Sequence, residues 1–364
     1  MESLVMQSLF GGVYTGKTVL VTGHNGFKGS WLSLWLEKLG AEVHGFSLEN
    51  YANADHFDRL QVNCHNHYGD IRNAASIKQV VDSVKPDVIF HLAAQPLVLD
   101  SYDDPIYTYE SNVMGTLHVL EAARHCDSVR ALVNVTTDKV YENHEKHHYY
   151  KETNALGGYD PYSSSKACSE ILSSSFRRSF LENHACLLAT ARAGNVIGGG
   201  DWSKNRLIPD VFKAIKNGET LSIRNPGAVR PWQHVLEPIS IYLELGRKLL
   251  EGDQGFASAW NIGPQQEDCI SVGDILKQIM ARTTGEVNVE FAPNPTAHEA
   301  NLLMLDIDKV KNELSWEPIW NIEEAVNRTA DWYLNFIQSG ELSTESDLMA
   351  YIDDASKRKL SWLS

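Results

Sequence analysis

The 364-residue chain carries 32 Lys+Arg against 47 Asp+Glu, a formal charge of −15, with 43% hydrophobic and 22% charged residues. This is the composition of an ordinary globular protein, long enough for about two domains. The acidic balance, without any Lys/Arg-rich run, argues against a nucleic-acid partner and against an anionic membrane, so any phosphate must be bound locally. Five widely spaced cysteines (Cys64, Cys126, Cys168, Cys186, Cys269) form no C-x-x-C pair, which reads as reduced thiols. Met1 to Gly12 contains no basic stretch, and no run of about eighteen apolar residues occurs, so the expected setting is cytoplasmic, neither exported nor membrane-bound.

In chain order, "TVLVT" (Thr18 to Thr22) predicts a strand, and the segment after it a helix with Trp31, Leu34, Trp35 and Leu39 at three-to-four spacing and Gly40 as its stop. "EVHGF" predicts a second strand, "ASIKQVVDSV" a helix, "DVIFHLA" a third strand, and "TYESNVMGTLHVLEAARH" one long helix with Val113, Leu117 and Leu120 facing the core. "RALVNVTT" and "CLLATARAG" are further strands, separated by a helix that starts near Tyr162. Such alternation implies βαβ units and a parallel sheet covered on both faces. After Asn195 glycines and prolines become denser and the alternation irregular, as in a smaller lobe built from insertions. The stretch from about Ser339 to Ser364 is polar and is expected to be a loosely packed tail.

Two glycine motifs compete. Gly11-x-x-x-x-Gly16-Lys17-Thr18 matches a triphosphate-binding loop letter for letter, but it leads into a strand rather than a helix, which removes the helix N-terminus that such a loop needs. Gly23-His24-Asn25-Gly26-Phe27-Lys28-Gly29 follows a strand and opens a helix. There Gly23 allows a tight turn, Gly26 lets a pyrophosphate approach the backbone, and Gly29 permits close helix–strand packing. The second strand ends "GFSLEN" without an Asp at its tip, Glu49 comes late, and no nearby Arg offers itself to a 2′-phosphate, so NAD and NADP both stay open on these residues. Asp70 and Ile71, after the next strand-like segment, are candidates for the adenine end.

Tyr162 and Lys166, four residues apart after Pro161, fall on one helix face. A phenol titrates near ~10, and an adjacent ammonium and a cationic ring both favour its phenolate. Thr136-Thr137-Asp138-Lys139 stands at the carboxyl end of a predicted parallel strand, where such sheets bind ligands, and offers a hydrogen-bond donor, an acid and an amine.

Together with "HLAAQP" (His91 to Pro96), "TTDKVYEN", "YSSSKACSE", "ARAGNVIGGGDW" and "RPWQHVLEP", these motifs resemble the extended short-chain dehydrogenase/reductases, and more narrowly the CDP-glucose 4,6-dehydratases. The resemblance spans about residues 14 to 335. It implies a Rossmann-type doubly wound α/β fold: residues 14–195 a dinucleotide domain with later segments returning to it, 196–335 mainly a substrate lobe, and 336–364 a tail. It implies NAD held by Gly23, Asn25, Gly26, Phe27, Lys28, Asp70, Ile71, Leu92, Ala93, Ala94, Gln95, Asn112, Tyr162 and Lys166. It further implies that Tyr162 takes the sugar O4 proton as hydride leaves C4, with Thr137 hydrogen-bonding O4 and Lys166 lowering the tyrosine pKa. Asp138 then protonates the departing C6 hydroxyl and Lys139 takes the C5 proton. Lys139 stands where the dTDP- and GDP-type dehydratases have a glutamate, and it works as a base only with a lowered pKa.

Asn195, Arg206, Arg230 and His234, with Trp232 beside them, are the candidates for holding the nucleoside diphosphate of CDP-glucose. The helix of residues 108–125 and the Tyr162 helix commonly form a dimer's four-helix bundle in this superfamily, so a homodimer is expected. A 4-epimerase would share Tyr162 and Lys166 but lose no water, and a dehydratase for another nucleoside diphosphate glucose would share the whole set. A cofactor-sensing module would not need the intact set. The runs His144–His148 and Cys64–His67 each lack a second pair of ligands, so no metal is expected.

Overall fold

A computed structural model describes residues 6–49, 54–283, 288–291, 302–358 and 360–363; Met1 to Val5, part of the N-terminal stretch considered above, lies outside them. The elements that place the site are β1 (Thr18–Thr22), α1 (Phe27–Lys38), β2 (Glu42–Ser47), β3 (Cys64–Tyr68), α2 (Ala74–Val84), β4 (Val88–His91), α3 (Gly115–Arg124), β5 (Ala131–Val135), α4 (Pro161–Ser179) and β6 (Leu187–Ala193). They are followed by α5 (Leu207–Asn217), α6 (Leu236–Leu250), β7 (Ala259–Ile262), α7 (Ile322–Ser339) and α8 (Thr344–Ser356). The seven strands form one sheet in the order β7-β6-β5-β4-β1-β2-β3, every neighbouring pair parallel. This is a Rossmann-type doubly wound sheet, and its strand order reverses between β1 and β4, where such sheets open a crevice at their carboxyl ends.

Strand alternation divides the core. Val19, Val21, Val88 and Phe90 pack with Trp31 and Trp35 on one face, while Leu20, Ile89 and Leu132 pack with Ile77, Val81 and Val119 on the other. Asp160 caps α4, its carboxylate accepting from the Ser163 N–H at 2.9 Å, and Pro161 occupies the first helical position. That start fixes Tyr162 in the first turn.

The long helix predicted over 108–125 is divided. Pro105–Tyr109 and α3 are joined by a π-type turn at Glu110–Met114, whose extra residue rotates the face that follows. Val119, Leu120, Ala122 and Ala123 therefore enter the core, whereas Val113 and Leu117 are only half-buried.

Beyond β6 the chain builds a lobe from α5, the strand pairs Leu221–Ile223 with Val289–Phe291 and Val229–Pro231 with Cys269–Ser271, and α7. Its core includes Phe212 stacked on Tyr333 at 4.5 Å. Between these segments α6 and β7 return to the large sheet.

The expected loose tail is instead packed. Leu348, Tyr351, Ala355 and Trp362 are buried, and Trp362 stacks on Phe10 at 5.1 Å and meets Trp35 edge-on at 5.8 Å. α1 is consequently enclosed almost all round, from Phe27 through Leu36, rather than on one stripe. The polar residues of α8 lie mostly on its exposed side, while Leu348, Tyr351, Ile352 and Ala355 are buried in the core that includes Trp31 and Trp35. Replacing Trp362 by alanine should cost about 3–5 kcal/mol of stability, the usual loss for a large buried aromatic ring. Urea unfolding measures it, and an unchanged midpoint would show that the segment contributes nothing.

Candidate active site

One continuous cleft runs from the β1–α1 turn, across the carboxyl ends of β4 and β5, to the lobe. Gly23, at φ +73°, makes the turn that no L side chain adopts easily, and a Cβ at Gly29 would stand 2.0 Å from the Gly23 carbonyl oxygen. Gly26 precedes α1 with an extended backbone and offers no side-chain cap, so the first N–H groups of the helix face the cleft. Lys17 of the other glycine motif lies at the opposite end of β1, paired to Asp87 at 3.1 Å. It takes no part in the cleft.

Gly23, Asn25, Gly26, Phe27, Lys28, Asp70, Ile71, Leu92, Ala93 and Ala94 all line the cleft. Asp70 is ion-paired to Arg72 at 2.7 Å, which holds its carboxyl below the usual range, and Arg72 also reaches Glu110 at 3.1 Å. Gln95 and Asn112 differ from expectation: they do not line the cleft. Asn112 accepts from the Gln95 N–H at 2.8 Å and donates to the Gln95 carbonyl and to Ser165 Oγ at 2.8 Å, so both are buried struts between the β4 loop and α4. Their amides are consumed by protein, and they act on a ligand only through position.

Thr137, Asp138, Lys139, Tyr162 and Lys166 converge on the cleft at the end of β5. The Thr137 hydroxyl donates to Asp138 Oδ1 at 3.0 Å, and Thr137 acts to lower the neighbouring Tyr162 phenol. Burial raises the Asp138 carboxyl above its ordinary value against the pull of Lys139, Thr137, Arg230 and Lys28, and its Oδ2 has no hydrogen-bond partner. Burial also pushes Tyr162 up to about 12, against Thr137 and Arg206. Desolvation thus outweighs the lowering expected from Lys166, whose ammonium donates to the Val135 carbonyl at 3.1 Å. Burial brings Lys166 itself down to about 8 and Lys28 down to about 7, the latter helped by Arg206 and Lys166.

Beneath these groups lies a buried ion pair. Arg192 on β6 meets Glu170 on α4 at 2.9 Å, and Glu170 also accepts from Thr136 at 2.5 Å and Thr190 at 2.8 Å. Burial works to raise the Glu170 carboxyl, but Arg192 and these hydrogen bonds prevail and keep it low.

On the lobe side, Asn195, Arg206, Arg230 and Trp232 line the cleft, Arg206 within 3.4 Å of Asp201. His234 does not. The chain changes strand partner between Val229–Pro231 and Gln233–His234, and His234 enters the core, fully buried between Trp31 and Trp320, where burial lowers it to about 3. Arg224 and Asn225 line the cleft without having been predicted; their signal was an Arg at a strand end before an Asn-Pro-Gly turn. The features fit a dinucleotide: a helix start open to a pyrophosphate, an apolar floor of Leu92 to Ala94, and a phenol and amine where a nicotinamide ring would lie.

The family model for GDP-mannose 4,6 dehydratase matches residues 20–329. Over 336 residues the chain is 43% identical to a CDP-glucose 4,6-dehydratase of Salmonella typhimurium, covering 90% of this chain and 94% of that one. An epimerase from Methanothermobacter thermautotrophicus superposes with a TM-score of 0.77 at 25% identity, covering 92% and 96% of the two chains. The dTDP-glucose 4,6-dehydratase of Bacillus anthracis, solved in complex with NAD, gives 0.72 at 23% identity over 88% and 97%. With that family model matching most of its length, the chain belongs to the GDP-mannose 4,6 dehydratase family.

Proposed function

We propose that the protein converts CDP-glucose to CDP-4-keto-6-deoxyglucose and water in one closed redox cycle that leaves its bound NAD unchanged. The observation that carries this reading is the acid–amine pair Asp138–Lys139 beside Tyr162 at the end of β5. A 4-epimerase has no use for that pair. The choice of the cytidine nucleotide is supported by the likeness to the Salmonella enzyme.

The chemistry that bound NAD supplies is reversible hydride transfer, out of C4 and later into C6, together with a positive ring that favours a nearby phenolate. Tyr162 takes the O4 proton, with Thr137 holding O4. The resulting 4-ketone acidifies C5, whose proton passes to the Lys139 amine. Asp138, whose carboxyl burial raises above its ordinary value, gives its proton to the leaving C6 hydroxyl, which departs as water. Lys139 returns its proton to C5 as C6 is reduced. One turnover therefore leaves Tyr162 with a proton gained and Asp138 with one lost. Thr137, whose hydroxyl donates to Asp138 and which lies beside Tyr162, is suited to pass a proton from Tyr162 back to Asp138. Arg206, Arg224, Arg230 and Asn195 supply the fork-shaped and amide donors suited to a diphosphate.

We infer a homodimer in the cytoplasm. Ile106, Tyr109 and Met114, with Ile171 on α4, form an exposed apolar patch, Ile106 being 70% and Ile171 57% exposed. A second copy presenting the same helices would cover it. All five cysteines are free, in keeping with a reducing compartment, and among the described residues no helix is long and apolar enough to cross a membrane.

Three measurements test these readings. Offered CDP-, dTDP-, GDP- and UDP-glucose in turn, the enzyme should yield a product lighter by one water from CDP-glucose with a clear preference; a product of unchanged mass means epimerisation. Lys139→Ala should slow solvent exchange of the C5 hydrogen by about 10²-fold or more, the usual range for a lost general base, and exchange at the parental rate removes Lys139 from that role. Ile106→Arg should convert a dimer to a monomer in sedimentation, and a monomeric parent would overturn the dimer.

A further inference from the structure

We propose that Glu42, His44 and His65 form a binding site for a single zinc ion on the β2/β3 edge of the sheet, outside the catalytic cleft. The run Cys64–His67 lacks a second pair of ligands along the sequence, and the neighbouring strand provides it. Residues two apart on a strand share a face, so Glu42 and His44 project together from β2, and His65 and His67 from β3. Register sets His44 directly opposite His65.

The donor atoms are already gathered. Glu42 Oε1 lies 3.3 Å from His44 Nε2 and 3.8 Å from His65 Nε2, and the three donors lie within 4.8 Å of one another. Tetrahedral zinc with bonds of about 2.0–2.1 Å separates its ligand atoms by about 3.3 Å, so one contact is in place and a small turn of the exposed His65 ring completes the set. His44 is held in a ligating orientation by its neighbours. Its ring stacks on those of His65 and His67, at 4.7 and 5.4 Å, and its Nδ1 lies 3.1 Å from His67 Nε2. With His67 accepting the Nδ1 proton, the His44 Nε2 lone pair faces Glu42, which is the outer-partner arrangement common to ligating histidines. Two imidazoles and a carboxylate suit a borderline cation rather than magnesium or calcium, and the solvent side leaves a fourth position for water. Among the described residues no other group of three such donors comes this close.

Such an ion would join the edge strand β3 to β2. Ser47, Gly69 and Asp70, at the carboxyl ends of that pair, line the far end of the cleft, so the staple would steady that rim without touching the reaction.

The NAD-loaded enzyme, freed of metal with a chelator, is titrated with zinc chloride in competition with a chromophoric zinc indicator. One equivalent should bind at micromolar concentration or tighter. His44→Ala and His65→Ala should each weaken it about tenfold or more, His67→Ala should weaken it by less, and turnover should be unchanged in all three. Glu42→Gln, which keeps the side-chain shape, should lose affinity while retaining the parental thermal midpoint measured without zinc. Parental affinity in the His44→Ala/His65→Ala double variant overturns the site, as does loss of the bound equivalent in His147→Ala/His148→Ala.

Discussion

The buried Glu170–Arg192 pair is the constraint on which the catalytic end of the molecule depends. Glu170 rises from α4, Arg192 from β6, and the two hydroxyls that complete the carboxylate's shell, Thr136 and Thr190, come from the end of β5 and from β6. Arg192 continues to the Tyr141 hydroxyl at 2.8 Å, and Tyr141 to Asn261 on β7 at 2.5 Å. One charge pair therefore ties together the strand that ends in Thr137–Lys139, the helix that carries Tyr162 and Lys166, and the strand that leads to Asn195. Removing one partner from such a pair strands the other in a low-dielectric interior, at a cost on the order of 3–5 kcal/mol. Because the folded Glu170 titrates below the ordinary carboxylate value, its contribution is present at neutral pH and is lost only when acid protonates it.

The same desolvation acts on the cleft with opposite effects on acids and bases. It raises Asp138 and lowers Lys28 and Lys166, drawing groups that would be fully ionised in water toward neutrality, while it pushes the Tyr162 phenol, un-ionised in neutral water, further from ionisation. The overall charge of −15 opposes a dianionic diphosphate at long range. The short-range groups that line the cleft and could offset it are three guanidiniums on the lobe and an uncapped helix start on the sheet. Salt should consequently screen a repulsion rather than an attraction on approach.

Much of the fold was legible because its signals are local. The strands from Thr18, Val88 and Ala131, the glycine turn and the Tyr162 helix are written in runs of a few residues and in Gly and Pro punctuation. The residues that misled are those decided by distant packing. His234 and Trp232 are two apart, yet a local change of strand partner sends one into the core and the other into the cleft. Gln95 and Asn112 read as ligand contacts until each is seen to satisfy the other. The π-type turn at Glu110–Met114 carries no Gly or Pro to announce it. Glu42 and His44 meet His65 across a gap of some twenty residues that periodicity does not bridge.

The packing of residues 344–363 against α1 has a consequence for biogenesis. α1 follows the first strand of the sheet, yet part of its packing, the edge-on contacts of Trp35 with Tyr351 and Trp362, comes from residues made more than 300 positions later. Until those residues are made, the indole of Trp35 has its contact with Phe10 but lacks those with Tyr351 and Trp362. At bacterial or eukaryotic elongation rates of about 5–20 residues per second, that interval lasts tens of seconds, long enough for chaperones or premature contacts to engage the bare helix. The helix that opens the glycine turn thus gains its full packing only once Tyr351 and Trp362 are in place.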